Sequence, residues 1–325
     1  MNKSLEIKPA SNAASDAAVS AKKASTAEKA TIRDFIQLTK PGIIRSNLLA
    51  AFGGFWLASG WNIEWSLLAY VLIGTALVMA SSCVLNNYWD RDLDRKMERT
   101  KGRVLPAGKI APHIVLWYGI SLGIVGLAVL LFKLNVLTFV LGIIGMFVYV
   151  VVYTMWLKRT STWSTSVGGF SGAMPPLIGY CAVNSFDIGA WALFAILFLW
   201  QPPHFWSLGI RRINDYRNAG YPLLPVVKGI KRTKLQMIPY IALLIPATIL
   251  LYAYDYVGMI YLIAMLFLEI WWLFHAISGL WTDKDEQWAR KSFIFSVQYL
   301  MIHFIVMIAD TDGALTNLLA SWIGL

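Results

Sequence analysis

The sequence predicts an all-α protein that crosses a lipid bilayer several times. Hydrophobic residues make up 58% of the chain and charged residues only 14%, whereas ordinary soluble domains carry about 25% charged residues. The apolar residues are gathered into long runs, and a run of about 20 is needed to cross the hydrocarbon core. The charged residues lie between these runs, so the composition excludes a soluble globular domain.

Nine apolar runs predict nine transmembrane helices around a central cavity. They lie at roughly 43–60, 66–86, 112–132, 135–156, 165–183, 189–209, 237–255, 257–281 and 291–310. The run at 165–183 is unusual because it holds several glycines and the adjacent prolines Pro175 and Pro176. Such residues let helices approach closely and break regular structure inside protein rather than in lipid. We therefore expect this span to line the cavity.

The first residues differ from the rest of the chain. They are rich in Ala, Ser and Lys and contain no apolar stretch of the kind that a signal peptide requires. We expect a disordered cytoplasmic tail over 1–34, followed by a single transmembrane domain over 35–325.

Positive charge lies on one side of the predicted spans. Every Lys and Arg except Lys133 falls in the tail, at the start of the first span, or in the loops near 91–109, 158–159, 211–234 and 284–291. The positive-inside rule then predicts a cytoplasmic amino end, and an odd number of spans places the carboxyl end outside. The net charge of +10 is accounted for by this topology and by the anionic inner leaflet, so it does not indicate a nucleic-acid partner.

Three polar side chains end the second span. Asn86, Asp90 and Asp94 are spaced four apart, and residues at this spacing stay on one face of a helix. Carboxylates at a membrane edge are costly unless they are paired or coordinate a cation. Mg²⁺ commonly binds through one or two carboxylates plus substrate phosphates. The alternative is a solvated helix end with Asp–Arg pairs, which is how we interpret Asp92 on another face.

Basic residues follow this stripe. Arg99 and Arg103 are again four apart, and Lys158 lies at the cytoplasmic end of the fourth span. Guanidinium groups suit phosphate oxygens, and Lys serves as a point charge. Topological anchoring is the alternative, but the carboxylates nearby favour a diphosphate site.

A third cluster surrounds a histidine near the cytoplasmic end of the sixth span. His204 stands in Trp-Gln-Pro-Pro-His-Phe-Trp, and Arg212 and Asp215 follow in the next loop. This His could ligate a metal or haem iron, take part in proton transfer, or be a buried residue satisfied by a carbonyl. The three alternatives stay open at this point.

Four segments in the same order resemble the UbiA-type intramembrane prenyltransferases. The first signature of that family is Asn-x₃-Asp-x₃-Asp followed by a basic segment, which Asn86, Asp90 and Asp94 match together with Arg99 and Arg103. The segments at 86–100, 172–180, 200–206 and 215–227 are similar, more specifically, to the haem-farnesylating branch of the family, the haem O synthases. The resemblance covers about residues 35 to 310.

The resemblance implies an activity, a cofactor and partners. It implies transfer of a farnesyl group from farnesyl diphosphate to a vinyl group of haem B, with addition of water, giving haem O and diphosphate for terminal oxidase biogenesis. Asn86, Asp90 and Asp94 would hold Mg²⁺, and Arg99, Arg103 and Lys158 would bind the diphosphate. Arg212, Asp215 and His204 would form the facing wall. The expected place is a bacterial cytoplasmic membrane with the site on the cytoplasmic side, and a haem A synthase or terminal oxidase assembly factors are further expected partners.

Two departures from the family pattern bear on specificity. Many members carry a second Asp-x₃-Asp motif after the sixth span, whereas this chain has only Asp215 there. Tyr153 and Lys158 are five apart instead of four. A prenyltransferase acting on a quinone precursor is the alternative that a complete second motif would favour. A secondary transporter, a different class of protein, would place its polar groups at the midplane, whereas here they lie at the membrane edge.

Overall fold

The structure is a computed structural model that describes residues 30–323. Within that range, regular structure is helical apart from an isolated β-bridge between Val257 and Thr311. The helices are α1 (Ile32–Leu38), α2 (Pro41–Ser59), α3 (Trp65–Asp94), α4 (Pro112–Leu134), α5 (Val136–Thr160), α6 (Ser164–Gly172), α7 (Met174–Cys181), α8 (Ile188–Arg211), α9 (Ile213–Asn218), α10 (Leu224–Val227), α11 (Ile230–Ala253), α12 (Met259–Trp281), α13 (Asp285–Ala309) and α14 (Ala314–Ile323). The predicted all-α class is confirmed.

Seven of the described helices are long and apolar enough to cross a membrane: α3, α4, α5, α8, α11, α12 and α13. Two of them contain π-helical turns, at Leu130–Leu134 in α4 and over Val148–Leu157 in α5. A π-helical turn inserts an extra residue and is frequent at functional sites. The second of these turns ends just before Lys158.

The count of nine spans is not confirmed. The run at 43–60 does form a helix, α2, but Arg45, Ser46 and Asn47 lie in its first half and it is not among the helices that meet the length and hydropathy of a span. The run at 165–183 is not one helix, because the chain breaks at Ala173 into α6 and α7. Pro175 and Pro176 supply no backbone N–H, so they fit the first turn of a new helix and not the interior of a continuous one.

The short helix α7 packs closely against α2. A Cβ atom added to Gly54 of α2 would overlap the backbone carbonyl of Pro176, and a Cβ atom added to Gly179 of α7 would overlap the backbone carbonyl of Ala51. The two helices therefore touch backbone to backbone, which only glycine allows. This contact holds the broken segment 164–181 inside the bundle, beside the cavity.

The second half of the chain has a buried polar core of its own. Glu269 of α12 is completely buried, and its Oε1 accepts hydrogen bonds from Thr248 at 2.5 Å and Tyr299 at 2.7 Å. Near the carboxyl end of α12, the buried Lys234 donates to the Gly279 carbonyl and pairs with Asp285. These contacts join α11, α12 and α13.

The predicted tail over 1–34 falls mostly on residues that lie outside the described range. Within that range, α1 begins at Ile32, where Thr31 and Asp34 form a capping box. The division into a tail and one domain stays a prediction.

The contact between α2 and α7 yields a stability prediction. Replacing Gly179 with Ala should destabilise the protein by about 1–3 kcal/mol, because the added carbon must displace the α2 backbone. Gly42→Ala is the matched control, since nothing lies within 4 Å of a Cβ atom at that position. The midpoint of thermal unfolding in detergent should fall for the first variant and stay unchanged for the second; equal midpoints would contradict the close packing.

Candidate active site

Asn86, Asp90 and Asp94 lie on one face of α3, at its carboxyl-terminal end. Their exposed fractions are 2%, 1% and 4%, so the face points into protein and not into solvent. Isolated buried carboxylates are strongly disfavoured. The surrounding cations and hydrogen-bond donors must therefore balance them.

Asp90 is bound from two helices. Its Oδ2 accepts hydrogen bonds from Asn86 Nδ2 at 2.9 Å and from Lys158 Nζ at 2.5 Å. Its Oδ1 lies 3.6 Å from Arg159 Nη2 and has no hydrogen-bond partner. Asn86 Nδ2 also donates to Thr154 of α5 at 3.0 Å. One oxygen of the carboxylate thus accepts two hydrogen bonds, while the other is buried without one.

Asp94 is bound by the loop that follows α3. Its Oδ2 pairs with Arg103 Nη1 at 2.7 Å, and its backbone carbonyl accepts from Thr100 at 2.8 Å. Asp92, by contrast, has a side chain that is 66% exposed and lies 3.9 Å from both Arg91 and Arg95. The sequence interpretation of Asp92 as a surface salt-bridge residue is confirmed.

Lys40 belongs to this site, although the sequence reasoning missed it. Its Nζ donates to Asn86 Oδ1 at 2.5 Å. The residue has φ 54° and ψ 65°, a left-handed conformation that is unusual for a non-glycine residue and that tends to be kept where function requires it. Desolvation lowers the pKa of Lys40 to about 8. The one local signal was Pro41, which disfavours the helical conformation in the residue before it.

Asn86 and Asp94 line one end of a cavity of about 360 Å³ between α2, α3, α5, α6, α7 and α8, whereas Asp90 lies between them behind the cavity wall. The polar end holds Lys40, Asn86, Asp94, Arg99, Arg103 and Lys158. The opposite end is lined by apolar and small residues: Val78, Met79, Leu141, Gly142, Gly145, Met146, Met174, Pro175 and Ile178. The expectation that the 165–183 segment lines a cavity is confirmed.

Two tyrosines from the loop after α8 close the polar end. Tyr216 and Tyr221 both line the cavity, and the Tyr221 ring lies 5.0 Å from Lys158 Nζ. Burial raises the pKa of Tyr221 above its ordinary value, so its hydroxyl stays a neutral hydrogen-bond donor. Neither residue was singled out from sequence, since aromatic residues at a membrane edge are common.

His204, Arg212 and Asp215 do not line this cavity. The ring of His204 is stacked between those of Trp200 and Phe293, with ring centroids 4.6 Å and 4.7 Å apart. Gln201 and Phe205 of the same helix line the cavity, and His204 lies on an adjacent side of α8. Arg212 and Asp215 line a separate, polar cavity of about 350 Å³ beside Asp285 and Glu286. The structure thus brings together the stripe and the basic residues, while the predicted facing wall lies outside the cavity.

The residues of the stripe fit a divalent cation that is shared with a substrate. No group of three His, Cys, Asp or Glu side chains within residues 30–323 could hold a metal alone. The unpartnered Asp90 Oδ1 is a buried oxygen that lacks a hydrogen-bond donor. Two carboxylates and an amide oxygen leave coordination positions to be filled by substrate phosphates, which is how Mg²⁺ is usually bound.

Comparison with known proteins identifies relatives along most of the chain. The model of the UbiA prenyltransferase family matches residues 47–297. The chain is 49% identical over 295 residues to protoheme IX farnesyltransferase 1 of Bacillus subtilis (strain 168), covering 87% of this chain and 92% of that protein. It is 47% identical over 280 residues to the protoheme IX farnesyltransferase of Serratia proteamaculans (strain 568), covering 86% and 95%.

Solved structures share the fold at low sequence identity. A digeranylgeranylglyceryl phosphate synthase superposes with a TM-score of 0.74 at 20% identity, covering 86% of this chain and 98% of that one. A UbiA homologue from Archaeoglobus fulgidus bound to GPP and Mg²⁺ superposes with a TM-score of 0.61 at 17% identity, covering 84% and 99%. With the family model matching more than half of its residues, this all-α membrane chain belongs to the UbiA prenyltransferase family.

Proposed function

We propose that this protein transfers the farnesyl group of farnesyl diphosphate to a vinyl group of protohaem IX, giving haem O and diphosphate for terminal oxidase biogenesis. The observation that carries the proposal is the buried face of Asn86, Asp90 and Asp94, whose outer members Asn86 and Asp94 line the polar end of a largely apolar cavity. The names of the relatives at 45–49% identity support haem as the acceptor. A secondary transporter is disfavoured, because the polar groups lie at one end of the cavity.

The polar end binds the diphosphate. Asn86, Asp90 and Asp94 hold Mg²⁺, which supplies positive charge that neutralises the diphosphate and makes it a better leaving group. Arg99 and Arg103 donate to the phosphate oxygens, and Lys158 adds a point charge. Lys40, held on Asn86 at 2.5 Å, adds another. Lys40, Arg103 and Lys158 are paired with Asn86, Asp94 and Asp90 in the structure. Once they have passed to the phosphate oxygens on substrate binding, they are in place to stabilise the charge that develops on the leaving oxygen.

The apolar end holds the prenyl chain and excludes water. Breaking the C1–O bond of farnesyl diphosphate leaves the electron pair on the diphosphate and positive charge on the allylic carbons. The terminal vinyl carbon of haem then bonds to C1, which moves the positive charge to the carbon next to the porphyrin ring. Water adds there and loses a proton, giving the hydroxyethylfarnesyl group. Walls such as Val78, Met79 and Leu141 protect the allylic cation from earlier attack by water.

In this proposal haem binds outside the cavity, against the side of α8 that carries His204, with Arg212 and Asp215 at the adjoining polar cavity and its reacting vinyl group directed at the polar end of the prenyl site. Ser296 Oγ donates to the Phe293 carbonyl at 2.7 Å and lies 2.7 Å from His204 Nδ1. In the tautomer in which Nδ1 carries the proton, Nδ1 donates to Ser296 Oγ. The lone pair is then on Nε2, the arrangement of a histidine that is oriented for iron. Arg212 provides a cation for the carboxylates of haem.

The protein acts in the cytoplasmic membrane of a bacterium, with its amino end and its site on the cytoplasmic side and its carboxyl end outside. The distribution of Lys and Arg supports this orientation. Farnesyl diphosphate is charged and water-soluble at one end, so a site that opens toward the cytoplasm receives it directly. Haem O leaves by way of the bilayer, toward a haem A synthase or terminal oxidase assembly factors.

The two carboxylates should be essential for catalysis. Asp90→Asn and Asp94→Asn should each lower haem O formation by about 100-fold or more, since each removes charge that the diphosphate and Mg²⁺ require. Asp92→Asn is the matched control on the same helix and should keep parental activity. The measurement is mass analysis of haem extracted after incubation of purified protein with haem B, farnesyl diphosphate and Mg²⁺. Normal farnesylation by either of the first two variants would refute the assignment.

Removal of divalent metal should abolish the reaction. The parent protein treated with EDTA should form no haem O, and excess Mg²⁺ should restore it, because the carboxylates and the diphosphate would otherwise repel each other. Binding of farnesyl diphosphate to the same samples should also weaken without metal. Full activity in EDTA would exclude Mg²⁺ from the mechanism.

His204 should report on haem binding through the haem spectrum. His204→Ala should change the Soret band of haem bound to the purified protein and lower haem affinity by about tenfold or more. Ser296→Ala should give a smaller effect of the same kind, since it frees the ring but leaves Nε2 in place. A His204→Ala protein that binds and converts haem as the parent does would remove this residue from the site.

A further inference from the structure

One face of α3 runs from the polar end of the cavity to its apolar end. Seven residues of this helix line the cavity, and six of them follow one another at spacings of three and four up to Asn86, with Asp94 at the polar end: Thr75, Val78, Met79, Ser82, Cys83, Asn86 and Asp94. At 1.5 Å per residue, Thr75 lies about 16 Å from Asn86 along the helix axis. The distance between Thr75 and Asn86 along α3 therefore gives the depth of the cavity below its polar end.

The cavity ends at the level of Thr75. Leu141 and Gly142 of α5 line it there, and both are buried, as is Thr75 with an exposed fraction of 1%. Leu130 of α4 lies directly behind. A Cβ atom added to Gly74 would meet Leu130 Cδ2 at 2.6 Å, and one added to Gly142 would meet Leu130 Cδ1 at 2.7 Å. The Leu130 side chain, itself fully buried, thus fills the space between α3 and α5 and seals the cavity.

The depth of the cavity corresponds to one class of prenyl chain. An extended chain covers about 1.2 Å per covalent bond, judged from the reach of an extended polypeptide. By that measure, the eleven main-chain bonds of a farnesyl group span about 13 Å, against about 8 Å for geranyl and about 18 Å for geranylgeranyl. With C1 at the level of Asn86 and the diphosphate beyond it toward Asp94, a farnesyl chain ends about 3 Å short of the level of Thr75. A geranylgeranyl chain would pass that level by about 2 Å and would overlap Thr75 and Leu141, behind which Leu130 is packed.

We propose that Thr75, Leu141 and Gly142, backed by Leu130, form a floor that selects a prenyl chain of three isoprene units. The inference rests on the proposed function, since it takes the cavity to be the site of a prenyl diphosphate. Selection follows from volume. A shorter chain leaves part of the apolar wall without contacts, and a longer chain overlaps a packed side chain.

The hydroxyl of Thr75 provides a matched control. Its Oγ1 is buried and has no hydrogen-bond partner, so Thr75→Val removes no bond and keeps the volume of the side chain. Thr75→Leu instead raises the floor, and Leu130→Ala lowers it. The two volume-changing variants act in opposite directions, and neither residue contacts the polar end.

The test compares three substrates. The parent and the three variants are given geranyl, farnesyl and geranylgeranyl diphosphate separately, with haem B and Mg²⁺, and kcat/KM is measured for each prenylated haem. Equilibrium binding of each diphosphate is measured on the same samples. We expect Thr75→Leu to shift the kcat/KM ratio toward geranyl by about tenfold or more, and Leu130→Ala to shift it toward geranylgeranyl by a similar factor. Thr75→Val should keep the parental ratio.

The outcomes separate the two proposals. A parent that binds none of the three diphosphates would overturn the proposed function itself. A parent that makes haem O, while Thr75→Leu and Leu130→Ala keep its substrate ratio, would overturn the floor alone. Folding of each variant is checked by gel filtration in detergent. If one of the two variants does not fold, the kcat/KM ratio of the other still tests the floor, because each has its own expected direction of change.

Discussion

The burial of two carboxylates at the edge of a membrane is the constraint on which this structure depends. Asp90 and Asp94 are almost fully enclosed, and a buried charge without a partner is far too costly to keep. Lys158 at the end of α5 meets Asp90, and Arg103 of the following loop meets Asp94. These pairs fix the position of α5 and of the basic loop relative to α3. The cavity exists because the helices that bring the cations must surround the helix that bears the acids.

The same pairs balance the charge of the site in the structure, where the carboxylates and cations neutralise each other. Under the proposed function, a divalent cation and a diphosphate would enter together, the carboxylates would exchange the cations for the metal and the cations would exchange the carboxylates for phosphate oxygens. The sum of charge in the site would then change little. Asp90 Oδ1 has no hydrogen bond in the structure, and buried polar networks are most stable when every member has a partner.

The parts of the site that could be predicted from sequence are those set by helix geometry. The spacing of Asn86, Asp90 and Asp94 places them on one face, and Arg103 and Lys158 stood out as cations near the same membrane edge. Lys40 could not be found this way, because its contact with Asn86 depends on a left-handed backbone conformation and on the packing of α2. The fold class was predictable from hydropathy. The break at Ala173 was not, because a segment rich in Gly and Pro disfavours a regular helix without showing whether the helix kinks or ends there. His204 was chosen for its neighbours in sequence, whereas the structure places it on the α13 side of α8, where Ser296 holds it.

The contact between α2 and α7 bears on how the protein is assembled during synthesis. Gly54 meets Pro176 and Gly179 meets Ala51, so α2 finds its partner only after roughly 120 further residues have left the ribosome, while amino-terminal segments emerge first. Until then α2, with Arg45, Ser46 and Asn47 in its first half, lacks the neighbour that shields its backbone. Lys40 directly precedes α2 and depends on the position of that helix, whereas Asn86 and Asp90 belong to α3. The contact between Lys40 and Asn86 would thus be completed only after more than half of the 325 residues have been made, and closure of the α2–α7 contact would be the event that assembles this end of the cavity.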